Sequence, residues 1–128
     1  MLEAFKSHLS AAFPELMSSS FLLACSGGLD SMVLAHLCKD AGLEFELAHC
    51  NFNLRGEASE SDQEFVRETA DKLRIKTHIK SFDTIGYANQ NKVSIQMAAR
   101  ALRYEWFDQL TASENHLRYI VTAHHADD

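Results

Sequence analysis

The sequence contains a single proline and five glycines among 128 residues, too few for a flexible linker or a low-complexity tract. It shows no internal repeat of the kind that builds a solenoid. No apolar run approaches the roughly 18 residues that a membrane span requires. Glu3, Lys6 and His8 interrupt the apolar residues of the N-terminus, which is therefore unlike a signal peptide. These absences predict one globular domain with no membrane partner.

Cysteine is scarce and unpaired. Cys25, Cys38 and Cys50 are odd in number and form no C-x-x-C pair, so neither a disulfide framework nor a zinc site of that type is expected. We interpret them as reduced thiols in the core of a cytoplasmic protein.

Basic residues are outnumbered. The chain has 12 lysines and arginines against 18 acidic residues, a net charge of −6. A free-standing nucleic-acid binder is normally basic, because phosphate contacts supply much of its affinity. If the substrate is RNA, most of the electrostatic attraction must therefore come from outside this chain.

What is present is an alternation of strand and helix patterns. Gly42 is well placed to end the first helix, and Ser61 with Glu64 has the form of a capping box for the second. Phe65, Val66, Thr69, Ala70 and Leu73 are predicted to form the buried face of that second helix, and Trp106 is predicted to lie in the core. The predicted strands are residues 21–25, 44–50, 76–81 and 118–123, and helices are predicted after residue 28, after residue 61 and around residues 95–106.

Such alternation predicts an α/β fold: an open parallel sheet with helices on both faces, a Rossmann-like three-layer sandwich. In open α/β sheets, ligands bind beyond the carboxyl ends of the strands. The most distinctive residues of this sequence fall there, in segments 26–31, 49–55 and 124–128. This edge is the predicted site.

The first of these segments reads Ser26-Gly27-Gly28-Leu29-Asp30-Ser31. Its two glycines allow the backbone to approach an anion, and the helix that follows directs its positive end to the same point. Asp30 offers a carboxylate for a magnesium ion on the phosphates. The spacing is neither a Walker A loop nor G-x-G-x-x-G. The alternative is an ordinary strand-to-helix turn in which Asp30 complements the helix dipole.

The motif S-G-G-x-D-S after a buried strand resembles the signature of the pyrophosphatase-loop ATPases. The resemblance implies an adenine nucleotide alpha hydrolase-like fold and cleavage of ATP between its α and β phosphates. On this basis Ser26, Gly27, Gly28, Leu29, Asp30 and Ser31 are expected to bind the nucleotide.

Three further segments resemble the tRNA(Ile)-lysidine synthetase family within that superfamily. They are residues 49–56 (HCNFNLRG), residues 94–104 (SIQMAARALRY) and residues 122–128 (TAHHADD). Two positions depart from the family pattern: Phe52 stands where a second histidine is usual, and Ser94 stands near a position that is often asparagine.

The family resemblance implies a reaction and its site. The wobble cytidine of a tRNA(Ile) with a CAU anticodon is adenylated by ATP with magnesium, and free L-lysine then displaces AMP. A homodimer is a further expected assembly. By resemblance, Asp30, Arg100, Arg103, Asp127 and Asp128 are the expected catalytic residues, Asp30 and Asp128 hold the metal, and His49, Arg55 and His124 contact the nucleotide.

Each assignment has a structural alternative. Arg100 and Arg103 could be solvated partners of Glu105 or Asp108, and His49 could be a satisfied structural histidine. His124 and His125 are adjacent on an extended segment and point to opposite sides, which disfavours a shared transition metal.

Residues 1–128 are accordingly expected to be the N-terminal pyrophosphatase-loop domain, incomplete at its carboxyl end, with tRNA-binding domains elsewhere. This arrangement would account for the acidic charge. Other functions left open are a different synthetase of the superfamily, a tRNA cytidine thiolase or a nucleotide-binding module without catalysis. The absence of a C-x-x-C pair weighs against thiolation.

Overall fold

The computed structural model describes residues 2–12, 14–15, 19–114, 116–117 and 119–122 of the chain. Within these residues, strands and helices alternate along most of the sequence. The elements are α1 (Leu2–Ala12), β1 (Phe21–Ala24), α2 (Leu29–Asp40), β2 (Phe45–Asn51), α3 (Glu57–Leu73), β3 (Thr77–Ser81), α4 (Thr84–Asn91), α5 (Ile95–Ser113) and β4 (Tyr119–Thr122).

The four strands form one sheet in the order β3-β2-β1-β4, and every neighbouring pair is parallel. Phe21 at the start of β1 is in register with Phe45 of β2 and Tyr119 of β4. Because the strands are parallel, their carboxyl ends lie together at one edge of the sheet. The predicted parallel sheet is confirmed.

Alternate residues of β1 enter two separate cores. Phe21 and Leu23 pack with α2 and α3 on one face, whereas Leu22 and Ala24 pack with Trp106 and neighbouring residues on the other. All four are buried, as expected of a central strand with both faces covered. The predicted three-layer arrangement with helices on both faces is therefore confirmed.

Helix α2 ends as the sequence predicts. Gly42 has φ +78° and donates its N–H to the carbonyl of Lys39, closing the last turn. The residue occupies a left-handed conformation that glycine adopts without a steric penalty.

The predicted capping box of α3 is wrong. The helix begins at Glu57, so Ser61 lies inside it, and Gly56 with φ +55° turns the chain into the helix earlier than predicted. Glu57 and Glu60 in the first turn complement the helix dipole, which explains why the helix extends to this point.

The buried face of α3 is confirmed in part. Val66, Thr69 and Ala70 are buried, and Leu73 is half-buried, but Phe65 is 43% exposed. Phe65 precedes Val66 by one residue, about 100° around the helix, and so lies beside the buried stripe.

Helix α4 has no counterpart in the prediction. Its N-cap, Asp83, accepts a hydrogen bond from the N–H of Gly86 at 3.1 Å, and Thr84 is buried with its hydroxyl donating to the carbonyl of Phe52 at 2.8 Å. Its eight residues are too few for a clear apolar period.

Helix α5 matches the third predicted helix. Ser94 caps it by accepting from the N–H of Met97 at 3.1 Å, and Trp106 lies in the core as predicted. Among the described helices, α5 included, none has the length and apolar character of a membrane span.

Candidate active site

The loop between β1 and α2 is held together by its own hydroxyl groups. The N–H of Gly28 donates to Ser26 Oγ at 3.2 Å, and Ser31 Oγ donates to the carbonyl of Gly28 at 3.0 Å. The two hydroxyl oxygens lie 3.3 Å apart. These bonds curl residues 26–31 into a compact turn at the carboxyl edge of the sheet.

The first turn of α2 opens onto this loop. Gly28 is the N-cap and has no side chain with which to cap the helix, so the N–H groups of the first turn are presented by backbone alone. Leu29 is 75% exposed, and Asp30 beside it is also exposed. An uncapped helix N-terminus of this kind suits an anion such as a phosphate group.

Gly27 is the point at which α3 touches the loop. Its φ is +87°, and a Cβ atom placed on it would lie 2.7 Å from Cβ of Asp62 and 3.1 Å from Cα of Asp62. Real Cβ atoms do not approach other carbon atoms that closely. The absence of a side chain at Gly27 therefore permits α3 to pack against the phosphate loop.

His49 is buried under the loop and is 3% exposed. Its Nδ1 lies 2.8 Å from the carbonyl oxygen of Cys25, the last residue before the loop. A carbonyl oxygen only accepts, so Nδ1 carries the proton of this hydrogen bond. His49 thus makes a hydrogen bond within the fold and also borders the cavity described in the next paragraph. The sequence left a structural role and a role in the site as alternatives, and this position is compatible with both.

A cavity of about 210 Å³ lies at the carboxyl ends of β1 and β2. Its wall combines apolar strand residues with the polar side chains of Ser26, His49, Asn51, Arg55 and Arg103. The remaining lining residues are Ala24, Cys25, Ala48, Cys50, Phe52, Leu54, Ser59, Asp62 and Phe107. An apolar cleft with a few convergent polar groups has the character of a small-molecule site.

A buried amide network, absent from the prediction, supports the cavity wall. Asn51 is 2% exposed, and its Nδ2 donates to Gln63 Oε1 at 2.9 Å and to Glu60 Oε1 at 3.2 Å. Its Oδ1 accepts from the N–H of Asn53 at 3.0 Å. This is an Asx turn, in which an asparagine side chain accepts from the N–H two residues later. Its sequence signal is the pair Asn51 and Asn53 at the end of a predicted strand.

Asn53 extends that network to the neighbouring strand. It has φ +55°, and its Nδ2 donates to Ser81 Oγ at 2.7 Å and to the carbonyl of Phe82 at 2.9 Å. The loop after β2 is therefore tied to the end of β3.

Arg55 meets α3 at the mouth of the cavity. Its Nη1 lies 3.2 Å from Asp62 Oδ2, and its backbone N–H donates to Ser59 Oγ at 3.1 Å. The guanidinium is largely exposed, so this ion pair contributes little to stability but orients the side chain.

The two arginines of α5 have different surroundings. Arg103 lies over the ring of Phe52, with Cζ 5.8 Å from the ring centroid, and borders the cavity. Arg100 lies over the ring of Tyr104 at 5.1 Å and does not border it. Phe52 stacks on Phe82 with centroids 5.5 Å apart.

The structure thus brings four of the predicted residues, Ser26, His49, Arg55 and Arg103, to one cavity. Asp30 lies on the adjoining first turn of α2, and Arg100 lies farther along α5. His124, His125, Asp127 and Asp128 fall outside the described residues.

The three cysteines are free thiols, and none of them is exposed. Burial raises the pKa of Cys25 to about 12, with a smaller contribution from neighbouring Cys38. Burial likewise raises the pKa of Cys38 and of Cys50 to about 12. These thiols are therefore protonated core groups rather than nucleophiles, as the sequence predicted.

An open parallel α/β sheet with a glycine-containing loop and an uncapped helix N-terminus at its carboxyl edge, beside a cleft, is the architecture of a class of phosphate-binding domain. Residues 1–128 match the family described as PP-loop domain, and the chain belongs to that family. Similar folds occur in an NMN synthetase from Francisella tularensis and an NH3-dependent NAD synthetase from Campylobacter jejuni. Their TM-scores are 0.66 and 0.63 at 18% and 16% identity, over 93% and 92% of this chain and 51% of each structure.

Closer relatives in sequence are tRNA(Ile)-lysidine synthases. The chain is 46% identical to that of Bacteroides thetaiotaomicron over 113 residues, and 48% identical to one from Porphyromonas gingivalis over 107. It is 44% identical to that of Chlorobaculum tepidum over 111 residues. These matches cover 88%, 84% and 84% of this chain but 26%, 23% and 33% of the relatives, so the chain spans about a quarter to a third of their length.

Proposed function

We propose that this chain is the N-terminal, ATP-binding part of a tRNA(Ile)-lysidine synthase. The observation that carries the proposal is the convergence of Ser26, His49, Arg55 and Arg103 on one cleft beside the loop of residues 26–31. It occurs in a chain 44–48% identical to three proteins of that name. The acidic net charge of −6 supports placing most of the RNA-binding surface in other parts of the protein.

The loop is suited to the phosphates of ATP. The uncapped first turn of α2 supplies backbone N–H groups, and exposed Ser26 supplies a hydroxyl group, at a point where Gly27 and Gly28 add no side-chain bulk. Buried Ser31 holds the loop in shape through its bond to the carbonyl of Gly28. The cavity of about 210 Å³ beside the loop is large enough to receive part of a nucleotide.

Exposed Asp30 would hold magnesium, because it lies on the first turn of the same helix and offers carboxylate oxygens there. A bound magnesium ion would neutralise phosphate charge during the displacement. Asp127 and Asp128 are expected to complete the acidic part of the site, on the strength of sequence alone.

The reaction has two displacements. In the first, the C2 carbonyl oxygen of the wobble cytidine forms a bond to the α-phosphorus of ATP, and the bond from that phosphorus to the bridging oxygen breaks to release pyrophosphate. In the second, the amine of free L-lysine attacks C2, the C2–oxygen bond breaks, AMP leaves and the amine loses a proton to a base. Arg103 and Arg55 lie where positive charge would stabilise the phosphate oxygens in the first step.

The proposed setting is the cytoplasm, where three free, protonated thiols are stable. The substrates would be ATP, L-lysine and a tRNA(Ile) with a CAU anticodon.

The test uses the full-length protein. Labelled L-lysine is incubated with ATP, magnesium and a tRNA(Ile) transcript that has a CAU anticodon, and the label on the RNA is measured. Incorporation should require ATP and disappear when the wobble cytidine is replaced. Pyrophosphate release with a different acceptor would contradict the substrate and retain the loop chemistry, whereas tight ATP binding without turnover would indicate a binding module.

Asp30→Ala should abolish adenylation and leave the fold intact. The matched control is Asp40→Ala, which removes an exposed carboxylate from the other end of the same helix. Normal pyrophosphate release by Asp30→Ala, or equal losses in the two variants, would contradict the proposed role of Asp30.

A further inference from the structure

A cluster of imidazole and carboxylate groups lies at the opposite end of the sheet from the nucleotide cleft. Glu46 is the second residue of β2, and His78 is the second residue of β3. His78 is in register with Ala48, whose side chain faces α5, and Glu46 precedes Ala48 by two residues on the same face. Glu114 follows the last residue of α5, and His116 lies between α5 and β4.

Two histidines converge on one carboxylate. His78 Nε2 lies 2.7 Å from Glu46 Oε1, and His116 Nε2 lies 2.6 Å from Glu46 Oε2. The side chains of Glu46 and His78 are only 14% and 13% exposed. A carboxylate so little hydrated needs positive charge nearby to remain ionised. Burial would raise the pKa of Glu46, but the hydrogen bonds and charges of His116 and His78 outweigh it and hold the pKa below its ordinary value.

A second carboxylate completes a compact donor set. One oxygen of Glu46, a ring nitrogen of His78 and one oxygen of Glu114 all lie within 4.8 Å of one another. Ligand atoms around a tetrahedral zinc ion, with bonds of about 2.0 Å, are separated by about 3.3 Å. Small rotations of these side chains would therefore bring them to bonding distance. His116 lies outside this compact set, with its Nε2 2.6 Å from the other oxygen of Glu46. Its half-exposed ring has room to rotate and supply a fourth donor.

The charge balance also suits a cation. Two carboxylates face two imidazoles and one ammonium group, that of Lys76, which lies 3.1 Å from Glu114 Oε1. Lys76 is 59% exposed, so its ammonium can move into solvent and release Glu114 at little energetic cost. Once Lys76 has moved away, the carboxylates of Glu46 and Glu114 supply negative charge for a divalent ion.

We propose that Glu46, His78, His116 and Glu114 form a zinc(II) site at the amino end of the sheet. Two imidazole nitrogens with carboxylate oxygens are the donor set of zinc rather than of magnesium or calcium, which take oxygen ligands. Zinc binding replaces the hydrogen bonds from the two Nε2 atoms to Glu46. Each Nε2 gives up its proton to solvent, and the ring that binds zinc keeps its remaining proton on Nδ1.

The ligands come from β2, from β3, from the end of α5 and from the segment that leads into β4. A zinc ion would therefore cross-link four parts of the chain that are otherwise joined by strand pairing and side-chain contacts. Its role is structural, because the nucleotide cleft lies at the other edge of the sheet.

The test measures zinc binding by the full-length protein, stripped of metal, by calorimetry with zinc chloride in a buffer that does not chelate. One zinc ion should bind per chain, and zinc should raise the melting temperature. His78→Gln/His116→Gln should weaken zinc affinity on the order of a hundredfold and remove the zinc-dependent rise in melting temperature. His36→Gln, an exposed histidine on α2, is the matched control and should bind zinc normally.

Cobalt(II) provides a second readout, because its visible absorption is strong in a tetrahedral site. Wild-type protein should show this absorption and the double variant should not. His116→Gln alone changes only an exposed side chain, so it tests the site even if the double variant does not fold. Its zinc affinity should also fall.

Three outcomes would overturn the proposal: no zinc-dependent change in melting temperature, unchanged zinc affinity in folded His78→Gln/His116→Gln, or loss of zinc binding only in His124→Gln/His125→Gln. The first would leave Glu46, His78 and His116 as a hydrogen-bonded group without metal. The last would place the ion elsewhere in the chain.

Discussion

The backbone of Gly27 lies against Asp62 so closely that a Cβ atom on the glycine would be 2.7 Å from Cβ of the aspartate. The contact joins the phosphate loop to α3, although the two residues are far apart in sequence. It makes the conformation of the loop depend on the packing of a helix that is remote from it in sequence.

Gly27→Ala should therefore lower the free energy of unfolding by more than the cost of placing alanine in a left-handed backbone conformation. The matched control is Gly42→Ala, since Gly42 has φ +78° but no atom within 4 Å of the place that a methyl group would occupy. We expect Gly42→Ala to cost about 1 kcal/mol and Gly27→Ala to cost roughly 1–3 kcal/mol more. Urea unfolding of both variants measures the difference, and equal losses would contradict the steric argument.

His49 should show separable structural and functional roles. His49→Asn places a donor near the position of Nδ1 and should preserve the bond to Cys25, whereas His49→Ala removes it at about 1–3 kcal/mol. Both variants lose Nε2, so both should bind ATP more weakly. Thermal unfolding and ATP titration distinguish the effects, and normal ATP affinity in His49→Asn would show that the ring serves structure alone.

Asn51→Asp should destabilise the protein more than the near-identical shapes of the two side chains suggest. The amide Nδ2 donates to Gln63 and Glu60, and a carboxylate in its place would face two acceptors, one of them charged. We expect the free energy of unfolding to fall by roughly 2–4 kcal/mol near neutral pH. The fall should be smaller in acid, because the carboxyl groups become protonated there. Urea unfolding at two pH values tests this, and the control Gln90→Glu changes an exposed amide on α4. A pH-independent loss equal to that of the control would be inconsistent with the network.

Arg103→Ala and Arg100→Ala form a matched pair on one helix. Arg103 borders the cleft and Arg100 does not, so only Arg103→Ala should raise the dissociation constant for ATP, by on the order of tenfold. ATP titration by fluorescence or calorimetry measures both constants. Similar constants in the two variants would mean that the cavity is not where the nucleotide binds.

The buried thiols predict a loss of stability in alkali. Burial raises the pKa of Cys25 and of Cys38 to about 12, whereas an unfolded thiol has a pKa of about 8.5. Below the unfolded pKa both states are protonated and stability is unaffected. Above it the unfolded state releases its protons first, so stability falls by up to about 1.4 kcal/mol per thiol for each pH unit until the folded pKa is reached.

Urea unfolding of wild type and of Cys25→Ala/Cys38→Ala between about pH 7 and about pH 10 measures this slope. The variant should be less stable at neutral pH but lose less stability as pH rises. Parallel curves for the two proteins would show that the thiols do not contribute to the slope.

Local chemistry along the chain was enough to predict the order of the strands and long helices. Phe21-Leu22-Leu23-Ala24 is apolar throughout, a pattern that a strand covered on both faces requires. The glycines and hydroxyl residues after it predicted the phosphate loop, because their constraints act within a few bonds. The start of α3 and the existence of α1 and α4 were missed. A glycine turn sets the start of α3, and a short capped helix such as α4 shows little periodicity.

Tertiary packing decided which side chains meet. The contacts of Gly27 with Asp62, of His49 with Cys25 and of Arg103 with Phe52 join different elements of the fold. The cluster of Glu46, His78 and His116 likewise joins β2, β3 and the segment before β4. The sequence alone determined a parallel sheet with a glycine-containing loop between its first strand and the helix that follows, because those patterns reflect local backbone preferences and burial. The shape of the cleft, and the contacts among the side chains around it, depend on strand register and on packing between distant segments. No local sequence pattern encodes these.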